Sequence, residues 1–234
     1  MSYFCSRMGK KRKLFKFSKI DENPLVFQQV HWESTSLRRQ GEEKEMPGKW
    51  SEFFGNSNPI VLELACGYGE YTIGMSAQDP NTNFIGIDIK GDRIYMGAKK
   101  ALEEDRKNAA FLRGSIVNLD RFFAKEEIAE IWIIFPDPYL PQRQSKKRLT
   151  APRFLEIYGN VLAKDGVVHL KTDSGPLFEF THEMIAEHKC DVLESNLDIY
   201  KNGFEEEYLK IRTRFEKSHL ADNRTIKYLK WKLP

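Results

Sequence analysis

What this 234-residue chain has little of narrows it first. Its three cysteines, Cys5, Cys66 and Cys190, are scattered and odd in number, so they define no disulfide framework and point to a reducing compartment. No apolar run approaches the ~20 residues of a membrane-spanning helix. The N-terminus is basic but lacks the apolar stretch of a secretory signal. The expectation is a cytoplasmic protein with no membrane partner. His169, His182, His188 and His219 lack metal-ligand spacing, so no metal is expected. There is no internal repeat and no low-complexity linker. A net charge of +3 names no partner, yet positive charge is concentrated at one end. Arg7, Lys10, Lys11, Arg12, Lys13, Lys16 and Lys19 all precede Asp21, the first acidic residue, and such an arm suits contact with phosphates.

What is present is a regular alternation of strands and helices from Pro59 onward. "PIVLELA", "NFIGIDI", "AAFLRG", "EIWIIF" and "VVHLKTD" read as five apolar strands. Between them lie the helices "EYTIGMSAQ" and "DRIYMGAKKALEED", the latter with Ile94, Ala98, Ala101 and Leu102 on one face. A short helix near "LDRFFAKEE" and one over "PRFLEIYGNVLAKDG" that closes at Gly166 follow. The helix "FEFTHEMIAEHK" leads to a weaker strand at "CDVLES" and to "TIKYLKWKL", whose polar and apolar residues alternate as on an antiparallel edge. The pattern predicts an α/β protein with a doubly wound, mostly parallel, seven-stranded sheet and one antiparallel strand near the C-terminus. Residues 1–49 read as a basic N-terminal extension and residues 50–234 as the domain.

The first strand-to-helix junction is "ELACGYGE", in which Gly67 and Gly69 bracket one residue where the chain must turn and a ligand can approach backbone. A dinucleotide fingerprint would place a third glycine where Thr72 stands, which weakens pyrophosphate binding. Glu63, at the strand end, would repel phosphates but suits a cation. Asp88, at the end of the second strand, lies where an acid grips ribose hydroxyls. A cation joined to a ribose points to S-adenosyl-L-methionine as cofactor. Ligands of doubly wound sheets bind where strand order reverses, between the first and fourth strands. Asp137 ends the fourth, and Pro136 and Pro138 fix the backbone on either side of it, so a rigid carboxylate beside the cofactor's reactive end is expected.

Taken together, "LELACGYGE", "FIGIDIKGDRI", "FPDPYLPQRQSKKRLTAPRFL", "HLKTD" and "TRFE" resemble, in order and spacing, the bacterial tRNA (guanine-N7-)-methyltransferases over roughly residues 59–234. That resemblance implies a Rossmann-like class I methyltransferase fold, S-adenosyl-L-methionine as methyl donor, and formation of 7-methylguanosine in the variable loop of tRNA. It further implies Asp137 as the active-site carboxylate and Glu63 and Asp88 as cofactor ligands. Asp173, Thr213, Arg214, Phe215 and Glu216 become substrate-binding residues. The family's third-strand cofactor residue falls on Ser115, whose hydroxyl can contact adenine, and Asp88 is one methylene shorter than the family's glutamate. Tyr139 and Pro141 replace the family's tryptophan and lysine. Arg143, Lys146, Lys147 and Arg148, in a run from Arg143 to Arg153 without an acid, are expected to meet tRNA in place of that lysine.

Other readings make distinct expectations. An adenine amino-methyltransferase would also present an acid before proline and an aromatic, as Asp137-Pro138-Tyr139 does. A nicotinamide dehydrogenase is disfavoured by Thr72 and by the lack of a well-placed Tyr-x-x-x-Lys pair. A non-catalytic RNA-binding module would not need the cofactor loop. Thr213-x-x-Glu216 also fits a helix capping box.

Overall fold

The alternation read from Pro59 onward becomes part of one ten-stranded sheet in the computed structural model, which describes residues 18–234. The strands are β1 (Val26–Gln29), β2 (Ser36–Arg39), β3 (Glu42–Glu45), β4 (Ile60–Leu64), β5 (Asn83–Asp88), β6 (Ala109–Arg113), β7 (Ile128–Ile134), β8 (Leu162–Thr172), β9 (Asp191–Asn196) and β10 (Lys227–Lys232). Their spatial order is β3-β2-β1-β6-β5-β4-β7-β8-β10-β9. The seven expected strands run from β6 to β9, with β10 antiparallel to both its neighbours. The extension expected over residues 1–49 contributes the other three: β1 pairs with β6 in parallel, and β2 and β3 follow as antiparallel strands. Of the basic arm, Arg7 to Lys16 lie outside the described residues.

Five longer helices cover the sheet: α1 (Glu70–Gln78), α2 (Gly91–Glu103), α3 (Pro152–Val161), α4 (Gly175–Glu187) and α5 (Arg214–Ala221). Two-residue periodicity sorts each central strand between two cores. Leu62 and Leu64 of β4 join Ile85, Ile87, Ile131 and Ile133 under α3 and α4, with Phe154, Tyr158 and Leu177 packed against them. Val61 faces the other side, with Tyr71 and Met75 of α1 and Trp132. Trp50 locks the N-terminal strands to this body. Its indole stacks on Phe123 at 5.3 Å, meets Phe27 edge-on at 4.7 Å, and donates Nε1–H to the Phe122 carbonyl at 2.9 Å.

Two expectations shift. α3 ends at Val161 rather than Gly166, because Leu162 turns to an extended conformation and pairs with Ile128 at the start of β7. On α2, Ile94, Ala98 and Ala101 are fully buried but Leu102 is exposed, since the helix is in contact along the line of Ile94, Gly97, Ala98 and Ala101 and Leu102 falls beside it. β5 lies on one side of β4 and β7 on the other, so the order reverses between β4 and β7, and their carboxyl ends open a crevice there.

Candidate active site

Three non-glycine residues at the crevice adopt the left-handed backbone region: Ala65 after β4 (φ +55°), and Phe135 (φ +46°) and Tyr139 (φ +42°) around the Pro-Asp-Pro loop after β7. Such residues cost about 1–3 kcal/mol each and persist only where surroundings enforce them. Here the enforcement is visible. Phe135 donates its N–H to the Lys171 carbonyl of β8 at 2.9 Å. Arg148 donates Nε–H to the Pro138 carbonyl at 3.1 Å and Nη2–H to the Tyr139 carbonyl at 3.1 Å, with its guanidinium 4.4 Å from the Phe180 ring centre. Arg148, expected to meet tRNA, is instead buried as a brace of the loop. Its three carbonyl partners satisfy a cation that could not otherwise leave water. Asp137 is left exposed at the apex, between prolines that remove two backbone donors.

The glycine loop sets the facing wall. Gly69 has φ +65°, and a Cβ there would lie 2.3 Å from Phe111 Cε1, so both conformation and space require glycine. Gly67 (φ +54°) donates its N–H to Asp88 Oδ2 at 2.9 Å, and Lys90 N–H reaches Asp88 Oδ1 at 2.8 Å. Each oxygen of Asp88 thereby accepts one backbone hydrogen bond and retains lone-pair capacity for hydroxyl donors. Glu63 Oε2 accepts from Thr72 N–H at 2.7 Å and Thr72 Oγ1–H at 2.5 Å. Thr72, which breaks the dinucleotide fingerprint, serves to hold this acid. Burial pushes the Glu63 carboxyl up to about 8, against the Thr72 hydrogen bonds that favour its ionised form.

Two adjoining cavities fill the crevice. The smaller, about 310 Å³, is lined by Asp88, Ile89, Ser115, Ile116, Val117 and Lys147 among others. The larger, about 580 Å³, includes Glu63, Gly67, Tyr68, Asp173, Thr213 and Phe215. Ala65, Lys90, Arg93 and Asp137 belong to both, which puts Asp137 at their junction. The donor set fits a cofactor with a ribose and a cationic centre: acids stand at the ends of β4 and β5, a hydroxyl follows β6, and no glycine-lined phosphate cradle is present at Thr72. Among the described residues no cluster of His, Cys, Asp or Glu could hold a metal, and no helix is long and apolar enough to cross a membrane.

On the far side the expected substrate residues divide. Asp173 lines the larger cavity but is engaged by Arg224 Nη1 at 2.9 Å. Thr213 caps α5 by accepting the Glu216 N–H at 3.1 Å. The capping box is only half formed, because the Glu216 side chain turns elsewhere. Fully buried, it meets Lys171 Nζ at 2.7 Å and accepts from the Tyr200 hydroxyl at 2.7 Å. Glu216 is therefore not among the residues lining either cavity, contrary to its expected contact with substrate: it is consumed by a buried lysine that would otherwise be an unpaired charge. Lys171 also donates to the Leu209 carbonyl at 3.0 Å, and burial pulls its pKa below the ordinary value. Arg214 lies 3.7 Å over the Tyr68 ring centre and donates its N–H to Glu70 at 3.2 Å, tying the segment that follows Thr213 to the glycine loop. Phe215 is partly exposed in the larger cavity. Arg143 and Lys146 point outward on the rim, and Lys147 lies 5.8 Å from the Tyr139 ring centre.

Sequence reasoning missed several lining residues. His219 sits 3.7 Å from Asp173 and 5.4 Å, ring to ring, from Phe135. Its signal was helical spacing, one turn beyond Glu216 on α5. Lys90 and Arg93 were legible only as neighbours of Asp88, and the Arg224 partnership with Asp173 had no local signal.

A cleft at the reversal of strand order, with acids at the carboxyl ends of β4 and β5 and after β7, has the architecture of the class I methyltransferase fold. Comparisons agree and go further. A family described as "Putative methyltransferase" matches residues 57–229. The tRNA (guanine-N(7)-)-methyltransferase of Christiangramia forsetii is 43% identical over 228 residues, covering 97% of this chain and 100% of that protein. The protein of the same description from Porphyromonas gingivalis is 47% identical over 212 residues, covering 90% and 85%. Among solved structures, the 16S rRNA methyltransferase KamB superposes with a TM-score of 0.61 at 13% identity, over 82% of this chain and 97% of that one, a likeness of fold. The chain belongs to the tRNA (guanine-N(7)-)-methyltransferase family.

Proposed function

We propose that the protein methylates N7 of a guanosine in the variable loop of tRNA, with S-adenosyl-L-methionine as donor and the cytoplasm as its place of work. The observation that carries this reading is Asp137, held rigidly at the junction of one cavity that is suited to an adenosine moiety and also lined by Lys147 and Arg153 of the basic run, and a larger one lined by Asp173, Thr213 and Phe215. Bound S-adenosyl-L-methionine supplies a methyl group on a sulfonium centre. Glu63 and Asp88 suit its cationic and ribose parts respectively, and the Ser115 hydroxyl, in the lining of the same cavity as Asp88, suits its base.

The nucleophile needs no base, because guanine N7 carries an in-plane lone pair and loses no proton as the N–C bond forms and the S–C bond breaks. Positioning then dominates, and alignment can contribute about 7–11 kcal/mol in favourable systems. The Asp137 carboxylate accepts the N1 and N2 hydrogens that only guanine offers together, and it offsets the positive charge the ring gains. Phe215 offers a stacking face, and Arg143, Lys146 and Lys147 take phosphates. Glu216 is assigned to holding α5 rather than to touching the base. The test is nucleoside mass spectrometry of unmodified tRNA treated with protein and cofactor. 7-Methylguanosine is expected. A methyl on an adenine amine would transfer the reading to the amino-methyltransferases, and none at all would remove it.

A further inference from the structure

The chain has four tryptophans, and three of them, Trp50, Trp132 and Trp231, are fully buried. Trp32 is 60% exposed, and its backbone is held with unusual care. The Trp32 carbonyl accepts from Asn118 Nδ2 at 3.0 Å and from Gln29 Nε2 at 3.3 Å. The Glu33 carbonyl accepts from Arg121 Nη1, and Ser34 N–H closes on the His31 carbonyl at 3.4 Å. Four side-chain and backbone donors thus fix a turn whose largest apolar ring is left in water, where burial would have stabilised it.

Its location gives the exposure a use. β1 runs parallel to β6, so the turn after Gln29 emerges at the carboxyl edge of the sheet, the edge that carries Asp88, Ser115 and Asp137. Gln29 Oε1 accepts the Ser115 N–H at 3.0 Å, and Asn118 follows directly on Ile116 and Val117, which line the smaller cavity. Lys147 and Arg153 line that same cavity. Trp32 therefore stands beside the cleft, on the outer side of the cofactor wall, opposite the rim where phosphates would pass.

We propose that Trp32 is a stacking platform for an unpaired nucleotide of the substrate RNA, next to the guanosine that enters the cleft. The inference rests on the tRNA reading above. A base delivered to the Asp137 junction must leave its stack, and a flat π-face a short way along the same edge compensates a neighbouring base that loses its partner. Aromatic platforms of this kind tolerate any base, so the contact adds affinity without adding sequence preference.

Trp32 also supplies its own probe, being the sole solvent-exposed tryptophan. Titrating unmodified tRNA into the full chain with S-adenosyl-L-homocysteine present should quench the red-edge emission and shield it from iodide. Trp32→Phe keeps a π-face and should bind within about threefold of wild type. Trp32→Ala should weaken tRNA binding and raise its KM about tenfold, with kcat, cofactor affinity and melting temperature unchanged. A wild-type KM in Trp32→Ala, or iodide access to the wild-type protein undiminished by tRNA, would overturn the proposal while leaving the tRNA reading intact. Emission already blue and shielded without RNA, with a concentration-dependent mass, would assign the ring to a second copy of the chain and overturn it too. Absence of any tRNA binding or methylation by wild type would remove both readings together.

Discussion

On the wall of the cleft proposed to hold the cofactor, the acids are kept available: Asp88 spends one acceptor site of each oxygen on backbone, Glu63 is held through Oε2 alone, and Asp137 is exposed between prolines. On the wall proposed to meet substrate they are committed. Asp173 is paired with Arg224, and Glu216 with Lys171 and Tyr200. The difference separates two uses of the same functional group. A carboxylate that must bind a changing partner keeps lone pairs facing a cavity. One that holds a loop against the sheet has its acceptor sites taken up by a cation or a hydroxyl.

The sharpest way to break this comparison is at its most available acid. Asp137→Ala should fold normally and lose roughly a hundred- to a thousand-fold in single-turnover rate, with cofactor binding largely kept. Asp137→Asn should fall nearly as far, because the amide keeps the shape but not the charge that faces the cationic base. Rates near wild type for both would show Asp137 to be only a strand terminator.

Next comes the committed wall. Lys171→Met leaves Glu216 buried without a counter-charge and should cost about 3–5 kcal/mol in urea unfolding. Lys171→Met with Glu216→Leu should recover most of that loss, yet tRNA methylation should stay impaired because Lys171 no longer ties residues 209–211 to β8. If Glu216→Gln left stability untouched but abolished guanine selectivity, the glutamate would belong with the available acids after all.

Glu63 tests the comparison through pH. Its carboxyl is raised to about 8 in the folded protein from an ordinary value of 4.5, so the native state binds a proton that the unfolded chain releases. Stability of the cofactor-free protein should therefore decline as pH rises from about 4.5 to about 8, and Glu63→Gln should flatten that slope. Binding of a cationic cofactor favours the ionised acid. Calorimetry in buffers of different ionisation enthalpy should show proton release below pH 8 in wild type and less in the variant. Equal proton counts would mean that Glu63 does not face the cation.

The smallest effects belong to the rim. Replacing Arg143 or Lys146 with alanine should weaken tRNA binding modestly and reduce the slope of log affinity against log salt by about 0.9 per lost phosphate contact. An unchanged slope would make the pair bystanders.

The contrast also marks where the sequence could be read. The cofactor wall was legible because its geometry is local: Gly67 and Gly69 report a turn, and Asp88 and Asp137 end apolar strands whose order follows from alternation. Ser115 could be placed only by resemblance. The wall proposed to meet substrate was not legible, since Lys171 and Glu216 are 45 residues apart and no periodicity announces a buried ion pair. Arg148 read as one more basic residue of an exposed run until its carbonyl partners appeared. The N-terminal strands were missed for a related reason: "VFQQ", "SLRR" and "EEKE" are four residues each, too short to show a period, and the last two are charged as well.

Those first strands carry a consequence for the birth of the molecule. Ser115, whose N–H rests on Gln29, lies 86 residues further along the chain. A strand made early thus has no parallel neighbour until β6 has emerged, and its pairing must close a long loop before any contact compensates the lost entropy. The edge that carries Ser115 therefore cannot set until β6 has been made. A nascent chain halted before β6 would hold Val26 and Phe27, both buried in the finished sheet, open to whatever apolar surface comes near.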